Sequence, residues 1–132
     1  MTDCGACLSG WDEEPAAFYN AELRKARKTH ICCECGNAIL SGSRYEYVVG
    51  EWDGDFLKFD TCALCLEIRI AFSCDGSWVF STLWEDFRES IFPIFTTANE
   101  CFGELSVKAK ERVMAEWNEW KFGETTMKVN QQ

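Results

Sequence analysis

The sequence predicts one α+β domain, and three observations lead there. An Asp53-Gly54 step joins two stretches rich in aromatic and β-branched residues, the signal of a tight β-hairpin. Two Cys-x-x-Cys pairs, Cys32/Cys35 and Cys62/Cys65, flank that hairpin with 26 residues between them. Near the end of the chain, Ala109, Val113, Met114, Trp117 and Trp120 recur at spacings of three and four, the stripe of an amphipathic helix. At 132 residues, with 47% hydrophobic and 14% aromatic content, the chain is long and apolar enough to bury a core as one domain. That domain is expected over residues 1–122, with 123–132 as a polar, flexible C-terminal tail.

Residues 1–14 read as an acidic loop. A helix is expected from near Pro15 through AAFYNAELRKARK. Asp12, Glu13 and Glu14 suit its positive end, and Arg24, Lys25, Arg27 and Lys28 suit its negative end. The hairpin follows, with strands over Arg44–Trp52 and Asp55–Thr61. A two-residue loop sets Trp52 opposite Asp55. One face then collects Val48, Gly50, Trp52, Leu57 and Phe59, the expected core side. The other collects Tyr45, Tyr47, Val49, Glu51, Phe56 and Lys58. Gly50 marks a candidate bulge that would shift this register. Helices are expected at Ala63–Phe72, from Thr82 to before Pro93 with Thr82 and Glu85 as a capping box, and from Ser106 to about Lys121, where Gly123 suits a stop. Trp78, Trp84, Trp117 and Trp120 read as core-closing side chains rather than a ligand pocket.

The cysteines carry the chemistry. A two-residue spacer lets both sulfurs of a tight turn reach one ion, and Gly36 permits the positive φ that closes such a knuckle. The second pair falls on the first turn of the Ala63–Phe72 helix, whose positive end favours thiolate. Four sulfurs suit a tetrahedral ion, so the expected cofactor is Zn²⁺ on Cys32, Cys35, Cys62 and Cys65, with iron as the other tetrahedral four-sulfur choice. Knuckle, hairpin, then a helix bearing the second pair is the order of a treble-clef zinc finger, here with additional flanking helices. A second zinc is conceivable from Cys4, Cys7 and Cys33 with Cys74 or His30. The alternative is a free thiol pair at the terminus.

The stretch KARKTHICCECGNAILSGSRYEYVVGEWDGDFLKFDTCALCLEIR resembles a group of small zinc-finger-like proteins encoded by bacteriophages and prophages. The resemblance rests on the CCECG knuckle, Ile39 and Gly42, the Tyr-rich strand, Trp52-Asp53-Gly54-Asp55, Phe59, and Cys62 with Cys65. It covers about residues 15–90. It implies an accessory protein of unknown activity working in the host cytoplasm.

Charge narrows the function classes. Net charge is −9, which repels nucleic-acid phosphate and favours a partner with a basic surface. The favoured expectation is a non-catalytic protein-binding module. Its target would be host machinery that handles nucleic acid, including defence complexes, in the manner of an anti-CRISPR protein or an acidic nucleic-acid competitor. Contact is expected through Tyr45, Tyr47, Glu51, Asp53, Asp55 and Phe56. The alternative is nucleic-acid binding through the basic segment 24–30. Those cations also have a bland reading, as the cationic end of a helix. A homodimer through Met114, Trp117 and Trp120 is a further candidate. Catalysis is not expected: one histidine is too few for an HNH-type nuclease, no phosphate-binding loop is present, and four thiolates leave zinc no open position. No leader and no apolar run long enough to cross a membrane is seen, so a cytoplasmic location is expected, where paired cysteines more often hold metal than disulfides.

Overall fold

In the computed structural model of the protein, the described residues are Leu8, 18–73 and 79–130. Strands β1 (Phe18–Lys25), β2 (His30–Ile31), β3 (Ala38–Ile39), β4 (Arg44–Trp52) and β5 (Asp55–Cys62) come first. Helices α1 (Ala63–Phe72), α2 (Leu83–Asp86), α3 (Glu100–Gly103) and α4 (Val107–Asn130) follow, so the chain is α+β. β1, β4 and β5 form an antiparallel sheet with β4 in the centre, and β2 and β3 form a separate two-stranded ribbon.

The β4–β5 hairpin has the register the sequence implies, Trp52 opposite Asp55 and Tyr45 opposite Cys62. Asp53 and Gly54 take φ of +53° and +85°, as a type I′ turn needs. The pairing runs past Gly50 without a bulge.

The helix expected from Pro15 is not present over the described part of that segment. Residues 18–25 instead form an edge strand on β4, with Ala21 opposite Val48. Ala, Leu, Glu, Arg and Lys favour helix, but the segment has no continuous apolar stripe to bury, and Leu23 remains 63% exposed. The open edge of β4 satisfies its backbone instead, which is the stronger constraint. Residues 15–17 lie outside the described residues.

α1 spans its expected residues and lies against β4 and β5. Its Arg69, 1% exposed, meets Glu46 of β4 with Nη2–Oε1 at 2.6 Å. On the far side of α1, aromatic rings link the C-terminal elements. Phe87 contacts Phe72, Trp84 and Phe92, with ring centroids 4.8, 5.0 and 5.5 Å away. Phe92 reaches Trp120, and Phe95 reaches Phe102 and Trp117. Trp84, Trp117 and Trp120 therefore close the core, as expected, while Trp78 lies outside the described residues. Met114, Trp117 and Trp120 pack on the core within one chain, so the face considered for a homodimer is largely occupied.

Three expectations about helix ends need correction. Thr82 forms no capping box: its Oγ1 turns to the Val79 carbonyl and to Asp86 Oδ2. After α2 the chain widens into a π turn over Phe87–Ile91, then a 3-10 turn over Phe92–Ile94. Pro93, which lacks an N–H, sits in that last turn and prevents a regular continuation. Gly123 does not stop α4, which continues to Asn130. A single glycine inside a helix costs only about 1 kcal/mol, too little to end it. The short α3 has no apolar period to announce it and is set by its cap, where Asn99 Oδ1 accepts from Phe102 N–H.

Phe87→Ala should destabilise the protein by about 3–5 kcal/mol, since it empties a fully buried junction of three rings. Phe56→Ala, at a position 69% exposed, should cost less than about 0.5 kcal/mol. Urea unfolding of both variants checks the contrast.

Candidate metal centre

The knuckle is built by β2 and β3. His30 pairs with Ile39 and Ile31 with Ala38, which leaves Cys32 and Cys35 on the connecting turn. Cys32 N–H donates to the Asn37 carbonyl and Gly36 N–H to the Cys32 carbonyl. Gly36 has φ of +75°, the left-handed conformation that lets the chain turn back. Cys33 N–H donates to the Asp60 carbonyl, tying the knuckle to β5. β5 ends at Cys62, which caps α1, and Cys65 lies on the first turn of that helix.

These elements bring four sulfurs together. The Sγ atoms of Cys32, Cys35, Cys62 and Cys65 all lie within 4.8 Å of one another, and Cys35 and Cys62 stand 3.9 Å apart. A tetrahedral ion bound to four sulfurs sets them about 3.8 Å apart, so the cluster is close to the size of such a cage. All four are free thiols. Cys32 and Cys65 are buried, and the other two are half-buried. Backbone N–H groups of Glu34 and Cys62 point at the Cys32 sulfur at 3.4 and 3.3 Å, and Cys65 N–H points at the Cys62 sulfur at 3.4 Å. Such donors stabilise thiolate, the form that binds metal.

Without a cation, so compact a group cannot hold four charges. Cys32 is held well below the ordinary thiol range because Cys62 and Cys65 donate their S–H groups to its sulfur. Donation to Cys32 in turn pushes Cys62 up to about 12. Cys65 is raised too, by its bonds to Cys32 and Cys62 and by burial. Cys32, Cys62 and Cys65 therefore share protons between their sulfurs. A soft divalent ion would replace the shared protons and satisfy all four at once.

Cys33 stands apart from this set. Its sulfur lies 3.5 Å from Thr61 Oγ1, and burial pushes its thiol up to about 11. His30 is also elsewhere: its ring stacks on Tyr45, and Nδ1 lies 3.3 Å from Asp60 Oδ2. Among the described residues no second metal-ligating cluster forms, and Cys4, Cys7 and Cys74 of the candidate second site lie outside them. Cys101 is buried and disulfide-bonded.

The expected partner surface is brought together in part. Asp53, Asp55 and Phe56 are exposed at the hairpin tip, and Glu51 is half-buried beside them. Tyr47 is half-buried beneath the Arg24 guanidinium, 4.0 Å from its ring. Tyr45 is only 4% exposed under the His30 ring and is not available for contact, contrary to expectation. The sequence placed it on an outer face but carried no sign that the β2–β3 ribbon would cover it.

Two acids near the cluster went unnoticed in the sequence. Glu34, between the knuckle cysteines, accepts from Ser81 and Leu83 N–H at 3.0 Å each and so closes the start of α2. Glu67 of α1 accepts from Ser106 N–H at 2.6 Å and from its hydroxyl at 2.8 Å, and Ser106 caps α4. Their partners lie 39 to 49 residues along the chain, beyond any local motif.

Comparison with family models, with curated proteins and with solved structures finds no match for this chain.

Metal binding at neutral pH should release at least about two protons per chain, those of Cys62 and Cys65, measurable with an indicator in weak buffer. Glu34→Ala should cost about 1–2 kcal/mol of stability, because the N–H groups of Ser81 and Leu83 lose their acceptor while all four sulfurs remain.

Proposed function

We propose that this chain is a zinc protein of treble-clef type whose metal is structural and whose work is to bind another protein. The supporting observation is the donor set itself, four sulfurs on a knuckle and a helix start, held within 4.8 Å of one another. Zinc suits it because it accepts tetrahedral sulfur without redox chemistry, and a four-thiolate zinc keeps no position for water or substrate. That coordination leaves the metal itself no catalytic role.

The contact surface is the tip of the β4–β5 hairpin. Asp53, Asp55 and Glu51 concentrate negative charge there, and Phe56 adds an exposed ring. Charged rims around an aromatic anchor are a common way to recognise a protein surface. The partner of matching chemistry is a basic protein surface. The resemblance to phage-encoded proteins directs this to host machinery that handles nucleic acid, including defence complexes, in the host cytoplasm. Occupying a basic groove would exclude its normal polyanion.

Purified protein should contain one zinc per chain by elemental analysis; a ratio near two would require ligands from outside the described residues. Asp53→Lys with Asp55→Lys should keep that zinc and the fold, yet lose a host protein that the unaltered chain captures from lysate in a salt-sensitive manner. Retention of that protein by the charge-reversed variant would remove the hairpin tip as the contact.

A further inference from the structure

The end of the sheet opposite the acidic tip is basic. Arg24, Lys25, Arg27, Lys28 and Arg44 are five of the thirteen Lys and Arg of a chain whose net charge is −9. As the cationic end of a helix they would need no further explanation, but the segment is a strand and a turn. The β1–β2 turn is clamped to the loop before β4: Ala26 N–H donates to the Ser43 carbonyl, Gly42 N–H to the Ala26 carbonyl, and Ser41 Oγ to the Arg27 carbonyl. Lys25, Arg27, Lys28 and Arg44 are thereby gathered at one end, all exposed.

Two features point to a ligand. Lys25 and Arg44 stand directly opposite one another in the β1–β4 pairing. Like charges in that position destabilise a sheet, so fold stability does not explain them. The acids on neighbouring elements are also engaged elsewhere. Glu22 pairs with Arg24, Glu46 with Arg69, Asp60 with His30, and Glu34 caps α2. Among the described residues Lys25, Arg27, Lys28 and Arg44 have no ion pair.

We propose that Lys25, Arg27, Lys28 and Arg44 form a contact site for the phosphate backbone of a nucleic-acid duplex. The small size of the site fits a local contact of about four phosphates. A duplex is favoured over a single strand because Tyr45, opposite Arg24 in the β1–β4 pairing, is buried against His30, and Tyr47 lies beneath the Arg24 guanidinium, so neither ring offers an open face to bases. An anionic membrane is the other polyanion of matching charge, and binding to vesicles is an outcome of the test below. The site does not depend on the protein contact at the hairpin tip, about 27 Å away along the nine residues of β4.

The test is fluorescence anisotropy with a labelled duplex of about 20 base pairs, using the zinc-loaded full chain. Binding should weaken with salt at a log–log slope of about −3.6, roughly 100-fold between about 50 and about 200 mM. Arg27→Glu with Lys28→Glu should weaken binding at least about tenfold and halve the slope. Arg44→Glu should weaken binding while raising the urea midpoint, since it replaces a repulsive pair with an attractive one. Asp53→Lys with Asp55→Lys should retain duplex binding, which separates this site from the tip. No binding at about 50 mM salt, binding that survives both basic-end variants, or equally tight binding to phosphatidylserine vesicles would each overturn the proposal.

Discussion

Two stretches of chain far apart in sequence come together at four cysteine sulfurs. The knuckle contributes Cys32 and Cys35 from a ribbon too short to be stable alone, since β2 and β3 have two residues each. The start of α1 contributes Cys62 and Cys65, where backbone N–H groups already face the sulfurs. Bringing two buried and two half-buried thiols together costs free energy unless something neutralises the charge they develop. The surrounding bonds are arranged for thiolates, while the free set holds its protons between sulfurs. A cation bound to the four sulfurs would resolve that tension.

From this centre the rest of the fold is positioned by carboxylates and rings. Glu34 leaves the knuckle to close the start of α2, and Glu67 leaves α1 to engage the cap of α4. Phe72 of α1 meets Phe87, from which ring contacts run on to Trp117 and Trp120 on α4. The helical layer is therefore referenced to the same two segments that carry the sulfurs. On the other side, the sheet is polarised along β4, with Arg44 and Lys25 at one end and the acids of the Asp53 turn at the other.

Legibility in the sequence followed the range of the interaction responsible. The hairpin could be read to the residue because Asp53-Gly54 dictates its own turn and alternation then sets every pair. The four cysteines could be read because paired spacing and a helix start are local signals. α1 likewise ended where expected, at Phe72. β1 could not be read, because its helix-favouring residues were overruled by an open strand edge some 25 residues away in sequence. The burial of Tyr45 by His30, the Glu46–Arg69 pair and the Glu34 cap all join distant segments, and no spacing rule announces them. Pro93 signalled a break but not its form, a widened turn rather than a clean end.

X-ray absorption at the zinc edge of the protein purified under reducing conditions tests the central claim most directly. The account predicts a single shell of four sulfur neighbours at about 2.3 Å, with no nitrogen or oxygen in it. A folded chain that carries no stoichiometric metal, or a shell that includes nitrogen or oxygen, would contradict it.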